Sequence, residues 1–319
     1  MIDLRRQRGV ALLVAILLVA LGTILAASIA FKSAMGARRG AASLSFDESV
    51  LVAEGAEALA AYALKNDGGN DDNLAESWAQ PLPPTEILPG VTLAAALEDL
   101  EGRFNLNSLV SRKEPVDKTG VADPDAIGIF ERLLVALDLE AKWAAEIADW
   151  IAQGDRTLSN GLGDNDTTGQ TPPYRVPNTF ITSTSELLAL PGFGRERYLK
   201  LAPYIAALPP EARVNVCMAS GILLDAMLEH QDFSTAPTFE EDRKKKCWPG
   251  RTNFLAAVND ATLTPKLTPR INEKSEYFRL TSLVTIGDAE FTLYSLIKRE
   301  RSGGAPAKIR VLQRSFTPD

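Results

Sequence analysis

Val10 to Phe31 is an unbroken apolar run in which Thr23 and Ser28 are the only polar side chains and no residue is charged. At 1.5 Å rise per residue, a helix of about twenty residues crosses the ~30 Å hydrocarbon core of a bilayer. The run is read as a membrane-spanning helix. No proline or turn cluster occurs between Val10 and Asn66, so the same helix is expected to continue outward. Val50, Ala53, Ala56, Leu59, Ala60, Ala63 and Leu64 recur at three- and four-residue spacing, which gives that continuation one stripe for packing on a folded body. Asn66-Asp67-Gly68-Gly69-Asn70-Asp71-Asp72 offers turn and left-handed conformations without a core residue, and ends it.

Beyond the helix, Pro81 to Pro89 reads as a proline-rich connector, and short alternating runs between Val91 and Leu109 predict strands with Gly102 at a turn or bulge. The period turns helical over Ala126 to Leu137 and again over Ala141 to Ile151. Gln153 to Thr182 is a long loop rich in Gly, Asp, Asn, Thr and Pro. Two short helices, Ser185 to Leu190 and Glu196 to Ala207, flank the turn Pro191-Gly192-Phe193-Gly194, with Ser183 or Thr184 as N-cap. Val214 to Val216 suits a strand and Ser220 to Leu228 a helix. The tail predicts a three-strand antiparallel meander, Tyr277 to Ile286, Phe291 to Arg299 and Lys308 to Phe316, around turns at Gly287-Asp288 and Ser302-Gly303-Gly304. Such an order implies an α+β fold: a long N-terminal helix on a small antiparallel sheet, with a large all-α domain inserted. The expected division is 1–9 leader, 10–33 membrane helix, 34–66 its continuation, 67–112 with 213–319 the α+β domain, and 113–212 the helical insertion.

Arg5, Arg6 and Arg8 precede the apolar run, so the positive-inside bias places residues 1–9 in the cytoplasm and the remainder across the membrane. Three fates compete for the segment: a cleaved secretory signal ending near Ser28-Ile29-Ala30, a permanent anchor, or a short basic leader cut after Gly9 so that Val10 starts the mature chain. The net charge is −7, and removing the leader's +2 (Arg5, Arg6 and Arg8 against Asp3) leaves −9. Such acidity opposes binding to nucleic acid or anionic lipid through the soluble part. Cys217 and Cys247 both fall in the exported part, where a disulfide closing a loop of about thirty residues is worth ~3 kcal/mol; two separate buried thiols are the alternative. The one histidine, His230, has no second His or Cys near it, and neither a phosphate-binding loop nor a nucleophile elbow occurs, so no catalysis is expected. Leu187 to Ile205 has the form of a helix-hairpin-helix whose glycine-turn amides, with Arg195, Arg197 and Lys200, suit a DNA phosphate. That form leaves a second reading, an anchored periplasmic binding protein of the kind used in DNA uptake. Net acidity and export favour a purely structural hairpin.

Several motifs in order carry a resemblance: Arg8-Gly9-Val10-Ala11-Leu12-Leu13-Val14, then Asp99-Leu100-Glu101-Gly102-Arg103-Phe104-Asn105-Leu106-Asn107, then Trp143 with Ile147-Ala148-Asp149-Trp150-Ile151, then Ser185-Glu186-Leu187 and Leu208-Pro209. Over nearly its whole length the chain resembles the minor pseudopilin K family of type II secretion systems. The resemblance implies a prepilin leader cut between Gly9 and Val10, methylation of the new N-terminus, and a pilin-type helix on an α+β domain with a helical insertion. It implies residence in the inner membrane with the bulk in the periplasm, and then at the tip of a short filament beside the I- and J-type minor pseudopilins. Other partners implied are the major pseudopilin, the prepilin peptidase and the inner-membrane assembly platform; nucleic acid is not among them. Pilin-like subunits mostly carry a glutamate at the fifth mature position, pairing with the N-terminal amine of the preceding subunit; Val14 stands there, as suits a first subunit with no predecessor. Asp155, Asp164, Asn165 and Asp166, with Asp149, are hard oxygen donors of the kind calcium takes six to eight of. Composition alone favours a solvated loop; the resemblance implies a calcium site there, although Asp164-Asn165-Asp166 departs from the family's usual run.

Overall fold

Helix α1 spans Arg8–Asn66, 59 residues and about 88 Å of continuous helix, because nothing in that stretch removes an N–H or demands a turn. The computed structural model describes residues 8–111, 120–152, 162, 167–228, 232–302 and 305–317. Along its first half α1 is bare: Val10, Leu13, Leu17, Leu21, Ile24 and Phe31 are all exposed. Its second half buries Ala53, Ala56, Ala60 and Leu64 against a sheet. Three of these four are alanines, so the helix axis can lie close to the strands. The Asn66 amide donates to the Tyr62 carbonyl at 2.9 Å and the chain turns away. Gly69 permits that turn, since a Cβ on it meets a Glu76 carboxylate oxygen at 2.7 Å and the Asp71 carbonyl at 3.0 Å.

The sheet has five strands, all paired antiparallel, in the order β1-β2-β9-β10-β11. They are β1 (Leu82–Leu88), β2 (Val91–Asp99), β9 (Tyr277–Ile286), β10 (Ala289–Ser302) and β11 (Ala305–Ser315). Between β2 and β9 come the short strands β3 (Phe104–Asn105), β4 (Val110–Ser111), β5 (Val121–Ala122), β6 (Ile205–Ala206), β7 (Val214–Asn215) and β8 (Ile271–Asn272), which make three two-stranded ladders. The stretch from Pro81 to Pro89 is thus a strand rather than a connector. Pro83 and Pro84 are tolerated because β1 is an edge strand whose side chains are all exposed. Leu88 pairs with Val91 around Pro89-Gly90, with Gly90 at φ +77°, as a type II turn requires. The tail meander forms as expected, with Ile286 paired to Ala289 across Gly287 at φ +59°.

Residues 100–276 leave the sheet and build a helical body. Its helices are α2 (Pro124–Ala136), α3 (Trp143–Ile151), α4 (Gly194–Leu201), α5 (Gly221–Leu228), α6 (Phe239–Arg243), α7 (Gly250–Val258) and α8 (Thr264–Leu267). Asp123 caps α2 by accepting from the Asp125 and Ala126 amides, with Pro124 at the first helical position. Phe130, Leu133, Trp143, Ile147, Phe193, Leu201, Leu223 and Phe254 pack into one core that reaches from Phe104 to Ile271. The expected limit between 212 and 213 falls inside that core. The hairpin helix ends earlier than expected, at Leu201, and Ile205–Ala206 pairs as a strand with Phe104–Asn105. Cys217 and Cys247 are bonded to each other, with Cα atoms 4.6 Å apart, and tie α5's lead-in to the segment before α7.

Two ion-paired groups clamp α1 to the sheet. Glu57, 5% exposed, accepts from Ser295 Oγ at 2.6 Å and from Arg314 Nε and Nη2 at 2.9 and 2.7 Å. Arg299 of β10 has no exposed side-chain surface; its guanidinium donates to Asp67 at 2.7 Å, to Asp72, and to the Ser275 carbonyl at 2.9 Å, and lies 4.7 Å from the Phe278 ring. Removing one partner of a buried pair leaves the other charge uncompensated. Arg299→Met should therefore lower the unfolding free energy of the detergent-solubilised chain by ~3–5 kcal/mol. A urea midpoint unchanged from wild type contradicts this account of the clamp.

Candidate functional site

The segment after β2 is where the helical body is fastened. Asp99 ends the strand and accepts the Glu101 amide at 2.8 Å, turning the chain into a 3-10 helix, Leu100–Gly102. Its other oxygen accepts from Ser275 Oγ at 2.6 Å and Asn215 Nδ2 at 3.1 Å. Asn215 Nδ2 also donates to the Asp72 carbonyl, and Asp72 accepts the Ser275 amide at 2.6 Å. Glu101 takes the Glu276 and Tyr277 amides at 2.7 and 3.1 Å. Exit from the sheet and return to it are thus held by the same side chains. Gly102 lets the joint close: a Cβ there meets the Met218 carbonyl at 2.9 Å.

Asn105 and Asn107 extend the joint into the body. Asn105 accepts the Asn107 and Leu208 amides and donates to the Pro209 carbonyl; Asn107 pairs with Ile181 through both its oxygen and its nitrogen and donates to the Leu208 carbonyl. The strands expected between Val91 and Leu109 form at Val91–Asp99 and Phe104–Asn105, but the Glu101 and Asn107 amides are taken by Asx-type bonds to Asp99 and Asn105 instead. A signal was present: Asp99, Glu101, Asn105 and Asn107 sit among residues with core character, where a buried polar group needs partners.

Burial acts on these carboxyls. It pushes Asp99 up to about 7 against the bonds from Ser275, Glu101 and Asn215, with Asp72 adding repulsion. Glu101 rises to about 8, chiefly by burial and then by the neighbouring Asp99. Glu76 rises to about 7, again by burial first, with Asp67 and Asp72 nearby. At Asp67 burial pushes upward, but the Gly69 amide, Asp72 and Arg299 outweigh it and hold the group below its ordinary value.

Among the described residues two clusters have the donor types for a metal: Asp67, Asp72 and Glu76, and Cys217, Cys247 and Glu273, each with ligand atoms within 4.8 Å of one another. In the first, Asp67 and Asp72 already receive Arg299 and Arg301; in the second, the sulfurs are bonded to each other. Of the expected loop ligands, Asp149 is buried near the end of α3 and has an interaction partner. Asp155, Asp164, Asn165 and Asp166 lie outside the described residues, as does His230.

Two of the hairpin's three cations, Arg197 and Lys200, are used internally, while Arg195 is exposed. Arg197 donates through Nε and Nη2 to Glu140 at 2.8 and 2.6 Å, holding that carboxyl well below the usual range, and its Nη1 reaches the Phe193 and Gly192 carbonyls. Lys200 lies 3.8 Å from Asp138. A phosphate has to displace these pairs. An open groove of about 1050 Å³ separates β11 from the body, where Phe180, Pro209 and Leu312 give an apolar lining and Asp123 and Arg270 are paired at 2.6 Å. At the other extremity Gly9 and Val10 lie in the first turn of α1, and Val14 is exposed.

The profile of the type II secretion system (T2SS) protein K family matches residues 102–210, beginning inside the joint. The type II secretion system protein K of Pseudomonas aeruginosa is 31% identical over 98% of this chain and 93% of the relative. That of Klebsiella pneumoniae is 30% identical over 92% of this chain and 93% of its own length. The chain belongs to the type II secretion system protein K family. Its fold is also that of a chain in the crystal structure of the GspK-GspI-GspJ complex from enterotoxigenic Escherichia coli, with a TM-score of 0.74 and 23% identity, covering 88% of this chain and 100% of that one. A protein K is a structural subunit rather than an enzyme, and the joint described above connects elements of the chain to one another.

The joint of this protein K should report on pH. For Asp99 and Glu101 the folded-state values lie above those of an unfolded carboxyl, so between about pH 4 and 8 the folded chain holds more protons than the unfolded one. Stability from these groups is therefore fully present at the acid end and lost as pH rises through 7 to 8. The melting temperature should fall between pH 5.5 and 8.5, and Glu101→Gln should flatten that fall; a melting temperature rising across the same interval excludes protonated carboxyls at the joint.

Proposed function

We propose that this chain is the minor pseudopilin at the tip of the periplasmic pseudopilus, assembling there with I- and J-type minor pseudopilins to start the filament used in exporting folded proteins across the outer membrane. The observation that carries the reading is where the body is attached. The joint involves Asp67 and Asp72, just past the last turn of α1, so the body is fastened at the sheet's end farthest from the apolar segment. A bulky mass there suits a cap with no subunit beyond it. The partners follow from the complex formed by the GspK of enterotoxigenic Escherichia coli. Contacts to the major pseudopilin, the prepilin peptidase and the assembly platform follow from membership of the family.

In this reading residues 1–9 are a leader cut after Gly9, Val10 is the methylated mature N-terminus, and residues 10–33 wait in the inner membrane as a transmembrane helix. Lysine and arginine do not set the orientation by themselves, because Lys32, Arg38 and Arg39 beyond the span balance Arg5, Arg6 and Arg8 before it. The Cys217–Cys247 bond favours an oxidising compartment for the body, hence the periplasm. Val14 brings no carboxylate to meet a predecessor's amine, while the Val10 amine stays available to a successor. The inserted domain is assigned to residues 100–276 and the pilin-type unit to 67–99 with 277–319, in place of the division at 112 and 213.

Intact-mass measurement on membranes containing the processing enzymes should find a chain beginning at methylated Val10, and I- and J-type subunits should copurify with it. A chain retaining Met1 removes the pseudopilin pathway. We further propose calcium as a ligand of the loop after α3, with Asp149, Asp155, Asp164, Asn165 and Asp166 as donors; the three carboxylates of Asp67, Asp72 and Glu76, the first two already shared with two guanidiniums, fall short of the six to eight oxygens calcium takes. Calorimetric titration with calcium should give saturable heat that Asp155→Asn with Asp164→Asn abolishes, and an absence of heat in the wild type argues against the site.

A further inference from the structure

Between Arg8 and Asp47 the chain has no acidic residue, and its only charges there are Lys32, Arg38 and Arg39. All three side chains are exposed on α1, and among the described residues none is in an ion pair. Elsewhere several buried or partly buried arginines have carboxylates: Arg103 and Arg279 share Glu98, Arg270 has Asp123, and Arg299 and Arg301 have Asp67 and Asp72. Exposed lysines such as Lys244 and Lys245 follow Glu240, Glu241 and Asp242 in sequence, so what sets Lys32, Arg38 and Arg39 apart is a stretch of helix with no acidic residue in it.

Their height along the helix indicates what they meet. Val10 to Phe31 covers about 33 Å, enough to fill the hydrocarbon core. Lys32 begins at its outer boundary, and Arg38 and Arg39 stand about 10–12 Å beyond Phe31. Cα–Cβ bonds in a helix tilt toward its N-terminus, here toward the membrane, so both arginine arms lean back into the headgroup layer. Lys32 and Arg39 are seven residues apart and share a face, with Arg38 about 100° away. The first carboxylate, Asp47, lies about 24 Å past Phe31, beyond reach of the collar.

We propose that Lys32, Arg38 and Arg39 form a basic collar that binds the phosphates of anionic phospholipids in the leaflet on the exported side. Arginine matches phosphate with a planar fork of donors, and lysine at the boundary adds a point charge. The collar fixes the depth of the unassembled subunit, while the acidic body beyond Asp47 is repelled by the same surface. A helix leaving the bilayer has to exchange these phosphates for other anions or for water.

The inference rests on the membrane reading of Val10 to Phe31, and its test separates the two. The chain's two cysteines are bonded together, so Ala26→Cys gives a single reactive thiol at an exposed position inside the span. The full chain, labelled there with bimane, is placed in nanodiscs of phosphatidylglycerol and phosphatidylcholine with one lipid or the other brominated. Brominated phosphatidylglycerol should compete for the helix surface about fivefold better than brominated phosphatidylcholine, and K32Q/R38Q/R39Q or 1 M salt should erase that preference ~completely. Equal quenching by the two lipids around the wild-type collar, or an undiminished preference in the triple variant, overturns the proposal. Quenching by neither lipid overturns the membrane span itself.

Discussion

The guanidinium of Arg299 is the point on which the architecture turns. A charge wholly withdrawn from water is costly unless its donors and its counter-charges are all met. Here they are met by Asp67 and Asp72 from the turn after α1 and by the Ser275 carbonyl at the return to the sheet. One side chain therefore joins the end of the long helix, the central part of the sheet and the mouth of the helical body. It also contributes to the electrostatics around it: against burial, the Gly69 amide, Asp72 and Arg299 together hold Asp67 below its ordinary value, whereas Glu76 and Glu101, which have no arginine of their own among the described pairs, are pushed upward by burial.

The run from Asp99 to Asn107 shows how a short motif can hold a large insertion. Nearly two hundred residues separate paired strands β2 and β9, and a flexible tether at that point leaves the body free to swing. Instead Asp99 and Glu101 take the Ser275 hydroxyl and the amides of Glu276 and Tyr277, and Asn105 and Asn107 bind Ile181, Leu208 and Pro209. Each polar side chain does locally what a neighbouring strand does in a sheet, satisfying buried backbone groups. The body is consequently carried as a rigid extension of the sheet.

Much of this fold was legible from periodicity. The uninterrupted α1, the apolar faces of α2 and α3, and the meander β9–β11 follow from spacing alone, because each is long enough for its period to show. Lost were the elements whose length or composition hides the period: β1, where Pro83 and Pro84 sit on an exposed edge, and α6 to α8, of five, nine and four residues. The insertion's limits were lost for a different reason. Its core gathers α5 and α7 from beyond residue 212, and no local pattern tells which core a helix joins. The joint was not readable because it depends on Asn215 and Ser275, which only tertiary structure brings to Asp99.

The two halves of α1 answer to different solvents. From Ser49 onward the helix buries alanines and Glu57 against its own sheet, while Leu51, Leu59 and Tyr62 face outward. From Val10 to Phe31 it has no partner among the described residues, and in the proposed reading this half is satisfied in lipid or against the helices of other subunits. In the proposed assembly the first medium is exchanged for the second, and the only fixed charges that feel the exchange are the Val10 amine and the cations at 32, 38 and 39. The Arg299 clamp and the joint link the sheet and the body to this helix, so in the proposed assembly displacement of the helix along its axis acts on the body at the far end.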